Sequence, residues 1–222
     1  MNIIRLLIAA ALFFSAYNAK AQVTLTANDA TNKKAGWTLS LQTPKNIAAW
    51  QMKITLPEGI TIPSHKETVG NAEFNVYDVK LPARYGSKYK ATGIPTEDGS
   101  ILLFFTPLTA TPTAEDFDIT GTEGEACTIT LKATKFEGPA TCTITNICAS
   151  DADAISIQGA DMNVNVNHPA GDASKDFVVN GSDIQTIINN IVARTYDESS
   201  DVYPDNKVNG ADIQSVINII IN

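Results

Sequence analysis

A β-sandwich followed by a small module of two loop-and-helix units is the architecture this sequence predicts, mainly β with a small α part. Three observations lead there. Residues 23–166 break into short runs rich in β-branched and aromatic residues, separated by turn clusters and without helical periodicity. Residues 180–191, NGSDIQTIINNI, and 209–220, NGADIQSVINII, are identical at eight of twelve positions at an offset of 29 residues, which marks an internal repeat. Ahead of each copy stands a spaced set of acidic and amide residues, and within each copy the apolar period becomes that of a helix.

Residues 1–21 read as a secretory signal peptide: a basic start ending at Arg5, a mostly apolar run from Leu6 to Ala16, and the small-residue pattern Ala19-Lys20-Ala21 before Gln22. The run is too short to span a bilayer. No cysteine follows the cut, so no lipid anchor is indicated. Removing Arg5 and Lys20 leaves fourteen basic residues against 24 acidic ones, a balance that disfavours nucleic acid or an anionic membrane as partner. A hydrophobic content of 44 % suffices for a packed core, and the length suits one sizeable domain, residues 22–166, plus a small one, residues 172–222. Residues 167–171, with His168, Pro169 and Gly171, read as the linker.

Strands are expected at 23–26, 36–41, 48–56, 74–81, 89–92, 101–105, 127–133, 141–147 and 155–166. In the third, Trp50, Met52, Ile54 and Leu56 alternate with Gln51, Lys53 and Thr55, one face inward and one outward; Trp37 is likewise in phase with Leu39 and Leu41. Both tryptophans therefore read as core. The segments ACTITLKAT and ATCTITNIC, joined by residues 135–139, read as a hairpin, and the Pro- and Thr-rich stretch 106–122 as a surface loop. Cys142 and Cys148 share one strand, about 20 Å apart if extended, so they cannot pair; a disulfide would need Cys127, and buried free thiols are the reading adopted.

The spacing ahead of the helices carries chemistry. Calcium is a hard cation that takes six to eight oxygens, and a twelve-residue loop delivers them from positions 1, 3, 5, 7 (a main-chain carbonyl), 9 and 12. Counting back from Asp183 places Asp172, Ser174, Asp176, the Val178 carbonyl and Asn180 in those slots. Counting back from Asp212 places Asp201, Tyr203, Asp205, the Lys207 carbonyl and Asn209, so the second loop fills one slot fewer. Apolar residues then recur at Ile184, Ile187, Ile188, Ile191, Val192 and at Ile213, Val216, Ile217, Ile220, Ile221, one stripe per helix.

On these residues, 172–222 resembles a type I dockerin, a tandem of EF-hand-like calcium units that lack the leading helix of an ordinary EF-hand. Two departures from that family stand at loop position 6, where glycine is expected: Phe177 and Asn206. Asn tolerates a left-handed backbone and a bulky residue does not, so the second loop is expected to bind calcium more tightly than the first. The N-terminal part is similar to the cohesin-like family of secreted jelly-roll sandwiches that receive dockerins. Residues 47–60 (IAAWQMKITLPEGI), the strand at 100–106 and the ACTITLKA…TITNICASDADA segments carry that likeness.

The resemblance implies a secreted or cell-surface, non-catalytic adaptor in extracellular assemblies linked to polysaccharide breakdown, its partner a cohesin-type domain in another chain or its own sandwich. It also implies that the residues just before loop position 12 choose the partner, here Gly181, Ser182, Gly210 and Ala211. Catalysis has little to stand on: the two histidines, His65 and His168, lie beside turn residues, and no nucleophile elbow or zinc motif is present. The alternative is a carbohydrate-binding protein with an intramolecularly docked C-terminal module, for which Tyr85 and Tyr89, in the loop-like ARYGSKYK, are the candidate exposed aromatics.

Overall fold

In a computed structural model, residues 23–29, 33–111, 113–133 and 136–222 are described. The expected signal peptide lies outside them. The strands run β1 (Thr24–Asp29), β2 (Gly36–Gln42), β3 (Ala49–Thr55), β4 (Ile60–Thr61), β5 (Ser64–Val69), β6 (Ala72–Tyr77) and β7 (Val79–Lys80). They continue as β8 (Tyr89–Pro95), β9 (Ile101–Pro107), β10 (Glu123–Thr130), β11 (Lys132–Ala133), β12 (Ala140–Ser150), β13 (Ser156–Gln158) and β14 (Met162–Val166). Helices α1 (Gly181–Ala193) and α2 (Gly210–Ile221) complete the chain.

One sheet has the order β1-β2-β10-β7; the larger has β13-β12-β3-β9-β8-β6-β5, with β14 also on β12, and β4 pairs with β11. The inward faces meet in one apolar core that includes Trp37, Leu39, Trp50, Met52, Ile54, Leu103, Phe105 and Ile129. Trp50 stacks on Phe105 with ring centroids 4.0 Å apart, the two residues being directly opposite on β3 and β9. Both tryptophans are thus core residues, as their alternation predicts. At Gly36, a Cβ would lie 2.0 Å from the Ile129 carbonyl oxygen, so only glycine lets the start of β2 press against β10.

Several expectations are corrected. The segments 127–133 and 141–147 do not form a hairpin: β10 lies between β2 and β7 in one sheet, and β12 lies on β3 in the other. Both alternate properly, but alternation fixes a buried face and not a neighbour. The run 74–81 divides into β6 and β7, one in each sheet, and 155–166 divides into β13 and β14. Strand β5 is an addition to the expected set, because its polar sequence, SHKETV, belongs to an exposed sheet edge, where charged residues blunt the unpaired side. Within the stretch read as surface loop, Ile119 is fully buried and bridges Ile47 and Tyr85.

Tyr85 and Tyr89 are interior rather than exposed. Trp50 Nε1 donates to the Tyr85 hydroxyl at 2.8 Å, and the Tyr89 hydroxyl donates to the Ala48 carbonyl at 2.6 Å. Burial raises the hydroxyl pKa of both. The tyrosines that the carbohydrate-binding alternative would need exposed are therefore part of the core. All three cysteines are free thiols; burial pushes Cys142 up to about 12 and raises Cys127 as well. Among the described residues no helix is long and apolar enough to cross a membrane.

Replacing Trp50 by Ala removes the stack on Phe105 and orphans the Tyr85 hydroxyl. The expected loss is about 3–5 kcal/mol of folding stability, read as a lowered urea midpoint with unchanged slope.

Candidate metal-binding loops

Each helix begins at an asparagine that caps it. The Asn180 Oδ1 accepts from the Ser182 amide (2.8 Å), and Asn209 Oδ1 accepts from the Ala211 amide (2.8 Å). Three residues on, Asp183 and Asp212 complete a capping box, accepting from the Asn180 and Asn209 amides at 2.8 and 2.7 Å. Their second oxygens reach back across the loops to the amides of Ser174 and Tyr203, both at 2.9 Å. Both aspartates are fully buried. A carboxylate can be held there because each oxygen receives a main-chain N–H and the helix N-terminus favours negative charge.

The stripes meet as expected: Ala173, Val179, Ile187 and Val216 are buried, with Ile184, Ile191, Ile213 and Ile220 packed against them. Ile188, Val192 and Ile221, read as part of the stripes, are instead exposed. Two short helices cover only the centre of each other's apolar face, and these residues sit at its edges.

The predicted oxygens gather in two loops. In the first, Asp172 Oδ1 accepts from the Asp176 amide (3.1 Å), Oδ2 from the Phe177 amide (2.8 Å), and Asp176 Oδ1 from the Val178 amide (2.9 Å). Asn180 Nδ2 donates to the Val178 carbonyl at 3.1 Å. The second repeats part of this: Asp201 Oδ1 accepts from Asp205 (3.2 Å) and Asp205 Oδ1 from Lys207 (3.0 Å). Phe177 and Asn206 have φ of 73° and 60°, the left-handed turn that position 6 demands.

Among the described residues no three His, Cys, Asp and Glu side chains form a metal cluster by themselves. Each loop instead mixes carboxylates with an amide and a main-chain carbonyl, a donor set suited to a hard cation. One atom tests the fit. Ser174 Oγ, at position 3 of the first loop, is buried and has no hydrogen-bond partner. A buried unpaired hydroxyl costs about 1–3 kcal/mol, so an oxygen left open at a ligand position fits a cation. Its counterpart Tyr203 is exposed.

The first loop also touches the sandwich. The Phe177 ring is fully buried in the sandwich core, edge-on to Phe136 with centroids 5.5 Å apart and 4.8 Å from the His168 ring. Ala35 N–H donates to the Phe177 carbonyl (3.0 Å) and Val179 N–H to the Lys33 carbonyl (2.8 Å), forming an antiparallel bridge between Lys34 and Val178. Lys33 Nζ reaches the Ile220 carbonyl at 2.9 Å, near the end of α2. His168 sits between the modules, with Nε2 2.6 Å from the Phe136 carbonyl and Nδ1 2.7 Å from Asp172 Oδ2. The ring burial offsets the strain that makes Phe177 look unfavourable for its loop. Residues 167–171 are correspondingly not a bare tether.

Gly181, Ser182 and Gly210 are exposed and Ala211 is half-buried, all four at helix N-termini. The other histidine, His65, lies on β5 within reach of Asp78 (3.0 Å) and Glu67 (3.2 Å), a solvated charge cluster.

Residues 170–221 match the family model of the dockerin type I domain. Among solved structures, the chain is similar to a non-cellulosomal cohesin from the hyperthermophilic archaeon Archaeoglobus fulgidus, at 13 % identity over 65 % of this chain and 89 % of that one, TM-score 0.41. It is also similar to a novel type I cohesin–dockerin complex from Clostridium thermocellum (12 %, 68 % and 97 %, 0.44) and to a cohesin module from a Clostridium perfringens family 33 glycoside hydrolase (8 %, 66 % and 94 %, 0.43). No curated protein matches the chain.

The caps hold the two helices directly. Asn209→Ala is expected to destabilise the chain by about 0.5–2 kcal/mol, read as a lowered urea midpoint of the helical ellipticity.

Proposed function

We propose that this protein is an exported, non-catalytic protein–protein adaptor whose dockerin-type module is ordered by calcium and receives a cohesin-type domain. The observation that carries the reading is the duplicated loop, in which oxygens stand at the calcium-loop spacing and a buried aspartate at position 12 ties the loop head to the start of the next helix. In the first loop the ligands are Asp172, Ser174, Asp176, the Val178 carbonyl, Asn180 and Asp183. In the second they are Asp201, Asp205, the Lys207 carbonyl, Asn209 and Asp212. Bound calcium would neutralise the carboxylates that each loop brings together. Polysaccharide-degrading assemblies outside the cell are the setting the family implies.

The partner surface is assigned to Gly181, Ser182, Gly210 and Ala211, whose exposure at the two helix starts supports it. A second reading is favoured by the seat of Phe177: the module's standing partner is its own sandwich, and the helix starts stay available to another chain.

The order of the two sites comes from the loops. Both position-6 residues hold the left-handed turn, and the first loop has the fuller ligand set, so the first site is the tighter one, in place of the order expected from Phe177 and Asn206. Calorimetric titration of the full chain should show two unequal events, in the range of about 10⁻⁴–10⁻³ M usual for extracellular modules. Asp183→Ala should abolish the stronger event and Asp212→Ala the weaker. A flat titration at millimolar calcium would refute the metal reading; the reverse assignment would refute the ranking.

A further inference from the structure

We infer that the first loop is a calcium-dependent clasp, in which cation binding and the docking of the C-terminal module onto its own sandwich are one coupled equilibrium. The inference rests on the calcium reading and adds to it an internal partner and a direction of control.

In an antiparallel bridge, successive residues turn their N–H and C=O groups to opposite sides. Phe177 and Val179 spend theirs on the sandwich, through the Ala35 amide and the Lys33 carbonyl. Val178 lies between them, so its carbonyl turns away from the sandwich, toward the loop side where Asn180 Nδ2 meets it at 3.1 Å. That carbonyl is the position-7 ligand. The same three residues that form the bridge therefore set the direction of a ligand oxygen, and a loop released from Lys33–Ala35 loses that setting.

The side chains repeat the coupling at position 6. Phe177 holds φ of 73° with its ring in the sandwich core, while its amide donates to Asp172 Oδ2 at 2.8 Å. Asp172 is the position-1 ligand, and the same Oδ2 lies 2.7 Å from His168, whose other ring nitrogen meets the Phe136 carbonyl. Withdrawing the ring from its socket would free the strained turn to relax and let Asp172 move with it. The second loop has no counterpart to this arrangement, because Asn206 and Tyr203 are exposed. One repeat thus carries the seat on the sandwich, while the other keeps its loop free of that contact.

Coupling of this kind is reciprocal, so docking must raise calcium affinity by the factor with which calcium favours docking, typically about 5–150-fold. Hydrogen exchange of the full chain reads docking at the Ala35 and Val179 amides, while the Met52 and Leu103 amides report the integrity of the sandwich. Chelation should accelerate exchange at the first pair and leave the second pair protected. Phe177→Gly, which relieves backbone strain but empties the socket, should weaken the tighter calorimetric event by at least about fivefold. Unchanged exchange at Ala35 and Val179 after chelation, with calcium shown to bind, would overturn the clasp and leave the calcium reading intact. So would a Phe177→Gly chain that binds calcium as tightly as the parent or more so. Absence of any calcium binding would overturn the underlying reading itself. The chelation arm needs no variant, so a misfolded Phe177→Gly chain does not rescue the proposal.

Discussion

The contact on which the arrangement depends is the burial of one phenyl ring. Phe177 stands where the loop turns left-handed, a backbone state that disfavours a bulky residue by roughly 1–2 kcal/mol. Taken within the loop alone, the residue is a fault. Placed in the sandwich core beside Phe136 and His168, it recovers more than that, since fully burying an aromatic side chain is worth about 1.5–3 kcal/mol. The flanking main chain adds two hydrogen bonds between the loop and the sandwich. Gly36 belongs to the same device, since only a residue without Cβ brings the start of β2 close enough to β10 to present Lys33–Ala35 as an edge.

The duplicated module is therefore symmetric in its caps and asymmetric in its contacts. Asp183 and Asp212 do the same work, tying a helix start to the head of its loop through both carboxylate oxygens. Around them the repeats diverge. The first has Ser174 turned inward and Phe177 inserted in the sandwich; the second has Tyr203 and Asn206 facing solvent. Divergence at positions 3 and 6 with retention at 9 and 12 separates what orders the helices from what attaches them.

What was legible in the sequence was local. The loops and helices of residues 172–222 could be placed because their chemistry is written within a dozen consecutive residues, and Trp37 and Trp50 because period-two alternation is a local signal. Pairing was not legible. β10 and β12 share one pattern, yet they lie in different sheets, a choice made by neighbours far along the chain. Tyr85 and Tyr89 resemble a loop rim because Arg84, Gly86, Ser87 and Lys88 surround them, whereas their hydroxyls find Trp50 and the Ala48 carbonyl. Phe177 misleads for the same reason. Its strain is visible in the loop, and its compensation comes from Ala35 and Phe136, which nothing in the repeat announces.

If the ring unites the two parts, they should unfold together. Both tryptophans lie in the sandwich and, among the described residues, both α-helices lie in the C-terminal module, so fluorescence and helical ellipticity report the parts separately during urea unfolding in millimolar calcium. Coincident transitions are the result this account expects for the intact chain, with the helical signal shifting to lower urea in Phe177→Gly. Two separate transitions in the parent chain, unmoved by that substitution, would contradict it.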